Sequence, residues 1–152
     1  MKKVITLSIS ILLTLGCFAQ RQELPFIIDP LLNEVYSEAE INDMKANNPQ
    51  KLFIENYNIS EFCYVIDKLP APEGEYIDKG ELKMAVKKGQ VCDYSQIIAN
   101  KCVNRYNYNL EQNINRPVVY HLGNTGYYLV VHSSYHFEAL KQARLEQYGY
   151  KL

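Results

Sequence analysis

Three histidines fall within sixteen positions, His121, His132 and His136. Imidazole is both a metal ligand and a general base, so a metal or acid–base site is the first chemistry this spacing raises. Val118 to Leu122 and Tyr127 to His132 read as strands around the turn Gly123-Asn124-Thr125-Gly126. If Leu122 faces Tyr127, His121 faces Tyr128. His132 then lies four residues further along, about 13 Å at roughly 3.3 Å per residue. One ion cannot bind both His121 and His132 in that register, although His132 and His136 could approach across Ser133 and Ser134. No metal ligand is assigned on this pattern.

Other reactive groups are as sparse. Glu73 with Glu75, and Asp78 with Glu81, form two close acidic pairs. Paired acids split glycosidic bonds when a cleft sets their separation and pKa values, but this Gly- and Lys-rich stretch reads as a solvated loop. The chain has no G-x-S-x-G elbow, phosphate-binding glycine loop, H-E-x-x-H or dinucleotide fingerprint. No catalytic residue and no cofactor are therefore assigned. Cys63, Cys92 and Cys102 follow no zinc spacing and include no C-x-x-C pair. A helix from Asp93 through Cys102 would part Cys92 from Cys102 by roughly 15 Å, ten steps of about 1.5 Å, beyond disulfide reach. Any bridge is expected to use Cys63. Cys102 is the favoured partner because it shares the apolar face of Tyr94 and Ile98.

The elements that must position these groups follow from local signals. Ser37-Glu38-Ala39-Glu40 is a capping box that opens a helix over Glu38 to Ala46. Asn48-Pro49 restarts a helix to Tyr57, with the proline where its missing N–H costs nothing. Phe62 to Ile66 reads as a strand, stopped by Leu69-Pro70-Ala71-Pro72. Leu82 to Lys88 reads as a short helix, with a hairpin turning at Lys79-Gly80 as the alternative. Asp93 with Gln96 caps the helix that carries Tyr94, Ile98 and Cys102 on one face. Arg105 to Leu110 alternates as a half-exposed strand would, and Glu111 to Arg116 reads as a loop. Ser134 caps a last helix, Tyr135 to Gln147, whose Phe137, Leu140 and Tyr148 should cover the core. The order predicts an α+β fold: a small antiparallel sheet with a C-terminal β-hairpin and helices packed on one face.

The N-terminus predicts export. Lys2 and Lys3 precede an uncharged run from Val4 to Gly16, of signal-peptide length and too short to span a bilayer. Small residues at Cys17 and Ala19 set a cut after Ala19. The organisation expected is a signal peptide over 1–19, an extended lead-in over 20–36 and one α+β domain over 37–152. Thr14-Leu15-Gly16-Cys17 resembles a lipobox, which would instead anchor the chain through a lipid on Cys17. The expected location is periplasmic or secreted, with a Cys17-anchored lipoprotein as the alternative. No further apolar run is long enough to span a membrane once the signal is removed.

Cutting after Ala19 takes 19 of 152 residues and leaves 133, with 14 basic against 17 acidic side chains. That balance lacks the clustered cations a nucleic acid requires. The chain holds 13 Tyr and no Trp, and tyrosine joins an apolar ring to a polar tip. In the hairpin register above, Val118, Tyr120, Leu122, Tyr127, Leu129 and Val131 share one face and should bury. Val119, His121, Tyr128, Val130 and His132 share the other, which should be wetter, and form the candidate binding face. The expected function is a non-enzymatic envelope module that binds a protein or glycan through its tyrosine-rich sheet. A small periplasmic hydrolase without a recognisable motif is the alternative.

Overall fold

A computed structural model describes residues 24–83, 93–101 and 103–150. Ser37 starts helix α1 (Glu38–Asn47): its hydroxyl accepts the Glu40 N–H at 3.3 Å while the Glu40 carboxylate accepts the Ser37 N–H at 2.8 Å. The Asn48 side chain accepts from the Lys51 N–H at 3.0 Å and starts α2 (Pro49–Ser60). Strands β1 (Cys63–Ile66) and β2 (Ile77–Glu81), helix α3 (Tyr94–Asn100), strands β3 (Val118–His121) and β4 (Tyr128–Val131), and helix α4 (Ser134–Gln147) follow. The fold is α+β.

The four strands form one sheet in the order β1-β4-β3-β2. β4 pairs antiparallel with both β1 and β3, and His121 faces Tyr128, the register expected for the hairpin. β2 runs parallel to β3, so the sheet is mixed where an antiparallel one was expected. The turn signal at Lys79-Gly80 does not reverse the chain. It is absorbed by a bulge: Asp78 pairs with Val119 and Glu81 with His121, so three steps on β2 match two on β3. Gly80 takes φ +70°, and its N–H donates to the Asp78 carboxylate at 2.8 Å.

Other expectations are corrected locally. Leu82 and Lys83 are not helical, and the rest of the helix expected over Leu82 to Lys88 lies outside the described residues. Arg105 to Leu110 is not a strand. The Asn104 side chain accepts the Tyr106 N–H at 3.0 Å and starts a 3-10 turn over Arg105–Asn107. An asparagine that bonds its own backbone two residues on competes with extended pairing. The lead-in is likewise not extended throughout: Asp29 caps a 3-10 turn over Pro30–Glu34. Helix α3 ends at Asn100 with Lys101 left-handed, short of Cys102. Helix α4 is capped by Ser133 rather than Ser134. The expected signal over 1–19, the lipobox ending at Cys17, and Cys92 and Cys102 lie outside the described residues.

Two clusters hold the chain. In the larger, Val118, Tyr120, Leu122, Leu129 and Val131 of the sheet meet Phe53 and Tyr57 of α2, Ile97 of α3, and Phe137 and Leu145 of α4. The helices thus pack on one face of the sheet. Leu140 was expected on the covering side but is 39 % exposed. The buried stripe of α4 runs from Phe137 to Leu145, eight residues or about two turns apart, and Leu140 falls outside it. In the smaller cluster Leu32 of the lead-in joins Ile41 and Met44 of α1 with Leu52 and Ile59 of α2. Asn56 pins the lead-in there, accepting the Asp29 N–H at 2.7 Å and donating to the Ile27 carbonyl at 3.1 Å.

Candidate functional site

The face of the sheet opposite the larger cluster carries the candidate residues. Across it run two rows. Tyr64, Val130, Val119 and Asp78 form one; Ile66, Tyr128, His121 and Glu81 form the next. His132 follows β4 immediately, and its N–H donates to the Phe62 carbonyl at 3.3 Å. All five residues expected on this face, Val119, His121, Tyr128, Val130 and His132, therefore lie at or beside it.

The face is not uniformly wet. Val119 and Val130 are fully buried, while Tyr127, expected in the core, is 37 % exposed. Both reversals have a positional cause. β3 and β4 are the central strands, so Val119 and Val130 have neighbours on both sides, with larger side chains in the adjoining positions. Tyr127 precedes the first paired residue of β4 and lies beside the turn, beyond the strands' inner face.

Around the valines the rings contact one another. His121 and Tyr128 meet edge to face with centroids 5.2 Å apart and planes at 78°. Tyr64 lies 4.8 Å from His132, and His132 lies 5.4 Å from His136, each pair tilted by about 40°. Burial, and then the neighbouring His136, hold the His132 imidazole below its ordinary pKa. Burial pushes the Tyr64 hydroxyl up.

His121 has a second partner. Its Nε2 stands 3.0 Å from Asp78 Oδ2, with both side chains about half exposed. The Asp78 carboxyl is held below its usual range, first by the Gly80 N–H and then by His121. A carboxylate on one ring nitrogen fixes the tautomer and orientation of an imidazole, the arrangement a general base uses. The other acids are dispersed. Glu81 accepts from the Tyr94 hydroxyl at 2.8 Å, and Glu73 and Glu75 stand exposed.

The start of α4 does not offer an anion site. The Ser134 and Tyr135 N–H groups donate to the Asn113 and Ile114 carbonyls at 2.8 and 3.1 Å, and the His136 N–H donates to the Ser133 hydroxyl at 3.3 Å. The donors a helix end leaves open are thus closed by the chain itself. Among the described residues no three His, Cys, Asp or Glu side chains gather closely enough to hold a metal ion. Among the described residues, grooves lie elsewhere. One of about 520 Å³ runs between the lead-in, α2 and the end of α4, past Phe53, Tyr57 and Arg144. One of about 350 Å³ lies beside Tyr36 and Lys51. Neither is lined by a histidine.

Cys63 is buried, its thiol 4.0 Å from the Val103 carbonyl. Cys102, its expected partner, precedes Val103 in the chain and lies outside the described residues. Among the described residues no helix is long and apolar enough to cross a membrane.

Sequence reasoning missed Tyr64 and Asp78 as members of this face. Tyr64 was available from the alternation within Phe62 to Ile66 once β1 was paired with β4. Asp78 was not, because its place depends on a parallel pairing formed across some forty residues of chain.

No family model, curated protein or solved structure matches the chain. A fold class alone does not imply an activity, so function is argued from the geometry of this face.

Proposed function

We propose that the chain is an exported, non-enzymatic module of the cell envelope that binds a protein or glycan through the outer face of its sheet. The observation that carries this reading is the joining of rings across one face: Tyr64 with His132, His132 with His136, and His121 with Tyr128. Partly exposed aromatic rings around a buried aliphatic centre supply contact area at little entropic cost, each with a polar tip for orientation. None of these rings belongs to either apolar cluster; four lie on the sheet or directly beside it, and His136 reaches its edge from the first turn of α4. The test is capture from envelope extract by the tagged mature protein, alongside a glycan array. Wild type should retain a partner that Tyr64→Ala/Tyr128→Ala does not. Equal retention by the folded double variant would contradict the reading.

The His121–Asp78 pair supports a second reading, a small periplasmic hydrolase with His121 as its base. Hydrolysis of an ester or glycoside panel that disappears in both His121→Ala and Asp78→Asn would favour it.

Export rests on the N-terminal pattern: Lys2 and Lys3, the apolar run, and the small residues before Gln20. Intact mass of the exported protein should begin at Gln20; a lipid-modified mass beginning at Cys17 would favour the anchored form. A Cys63–Cys102 bridge rests on the sequence alone, since the 4.0 Å contact of the Cys63 sulfur is with the Val103 carbonyl. Peptide mapping without reduction should recover that link.

A further inference from the structure

The turn between β4 and α4 fixes the backbone positions that carry two imidazoles. His132 is tied to the sheet through its N–H on the Phe62 carbonyl, and its own carbonyl accepts from the Gln112 side chain at 3.1 Å. Ser133 caps α4 through the His136 N–H, and the next two N–H groups are held by Asn113 and Ile114. Both ends of the pair are therefore anchored by main-chain hydrogen bonds, and the histidines sit at a spacing of four residues. His136 is exposed and His132 half-buried, so the gap between them is reachable from solvent.

The spacing fits a shared ion. A zinc–imidazole nitrogen bond is about 2.0–2.1 Å, which places each ring centre about 3.2 Å from the metal. Two such rings at the tetrahedral angle have centres about 5.2 Å apart; at a right angle, as in tetragonal geometry, about 4.5 Å. The His132 and His136 centroids are 5.4 Å apart with planes tilted by 41°, close to the tetrahedral value. Turning either ring over about its bond to the chain leaves its plane in place and exchanges Nδ1 with Cδ2 and Nε2 with Cε1, so a nitrogen can replace a carbon on the edge that faces the other ring. His121 belongs to a different contact set, with Asp78 and Tyr128.

We propose that His132 and His136 form a two-histidine site for Zn²⁺ at the junction of β4 and α4. Water, or a donor atom of a bound partner, would complete its tetrahedral shell. This goes beyond the binding-module reading and does not depend on it, because the site is built from the chain's own side chains and is tested without any partner.

The experiment is calorimetric titration of ZnCl2 into the metal-free mature protein and its His132→Ala, His136→Ala and His121→Ala variants, with circular dichroism confirming that each is folded. Wild type and His121→Ala should bind one saturable equivalent, and both His132→Ala and His136→Ala should lose it. His136 is exposed, so its substitution keeps the test valid even if His132→Ala fails to fold. Absence of saturable zinc binding by wild type, or its survival in His136→Ala, would overturn the proposal.

Discussion

The two faces of the β3–β4 hairpin are both anchored by buried aliphatic residues, yet they end differently. On the inner face Val118, Leu122, Leu129 and Val131 continue into Phe53, Phe137 and Leu145 of the helices. Its one polar tip, the Tyr120 hydroxyl, is enclosed, accepting the Glu111 N–H at 2.7 Å and lying 3.3 Å from the Asn109 carbonyl. On the outer face Val119 and Val130 are as deeply buried, but around them stand His121, Tyr128, Tyr64 and His132, each half-exposed. Burial alone therefore does not divide structure from function in this sheet. The division lies in what adjoins the buried residues: helices on one side, titratable rings on the other.

That comparison is broken most severely at Leu129. It is fully buried in the larger cluster, so Leu129→Ala should cost about 2–5 kcal/mol in denaturant unfolding. Val130 provides the sharper comparison, because it is the next residue and faces the other way. Val130→Ala removes two buried carbons at roughly 0.8 kcal/mol each, so about 1.5 kcal/mol is expected. A cost near zero would show that the outer face contributes no packing.

His121→Ala should cost less than either, about 1 kcal/mol or below, the range for exposed ion pairs. Loss as large as that of Leu129→Ala would mean that the faces are reversed.

Further effects lie on the pH axis, at opposite ends for the two faces. Tyr57, in the inner cluster, has its hydroxyl pushed up to about 12, chiefly by burial. Its neutral form is favoured in the folded chain, so that stability is present below the ordinary value of 10 and lost as pH rises toward 12. Absorbance titration of the tyrosinate band should show a late-ionising phase to which Tyr57 and Tyr36 both contribute, and Tyr57→Phe should reduce its amplitude by one tyrosine. Asp78, on the outer face, is shifted the other way. Its contribution is present above the ordinary carboxyl value of 3.8 and lost as pH falls through its lower folded value. Melting temperature followed from pH 5 downward should show an acid limb that is shallower in Asp78→Asn.

Much of this arrangement could be read from local signals. The Ser37–Glu40 box, the Asn48-Pro49 start and the Gly123–Gly126 turn each depend on residues close together in the chain, and each forms where expected. The hairpin register followed because a slip of one residue would exchange its faces. What escaped reading was non-local or competitive. β2 shows little hydrophobic pattern, being Ile-Asp-Lys-Gly-Glu, and acquires its place from β3. Asn104 diverted an alternating segment into a 3-10 turn by bonding the backbone itself. Burial of Val119 and Val130 required knowing that their strands are central, which a hairpin considered alone does not reveal. The face was therefore legible as a set of residues, while its ion pair, its ring contacts and its dry centre were not.

The central claim is that the outer rings bind while the inner face holds the fold. It is tested most directly by measuring the affinity of Tyr64→Ala/Tyr128→Ala for the partner retained by wild type, at a temperature where both are fully folded. Loss of binding with an intact unfolding transition is the predicted result. Wild-type affinity in that variant would contradict the account.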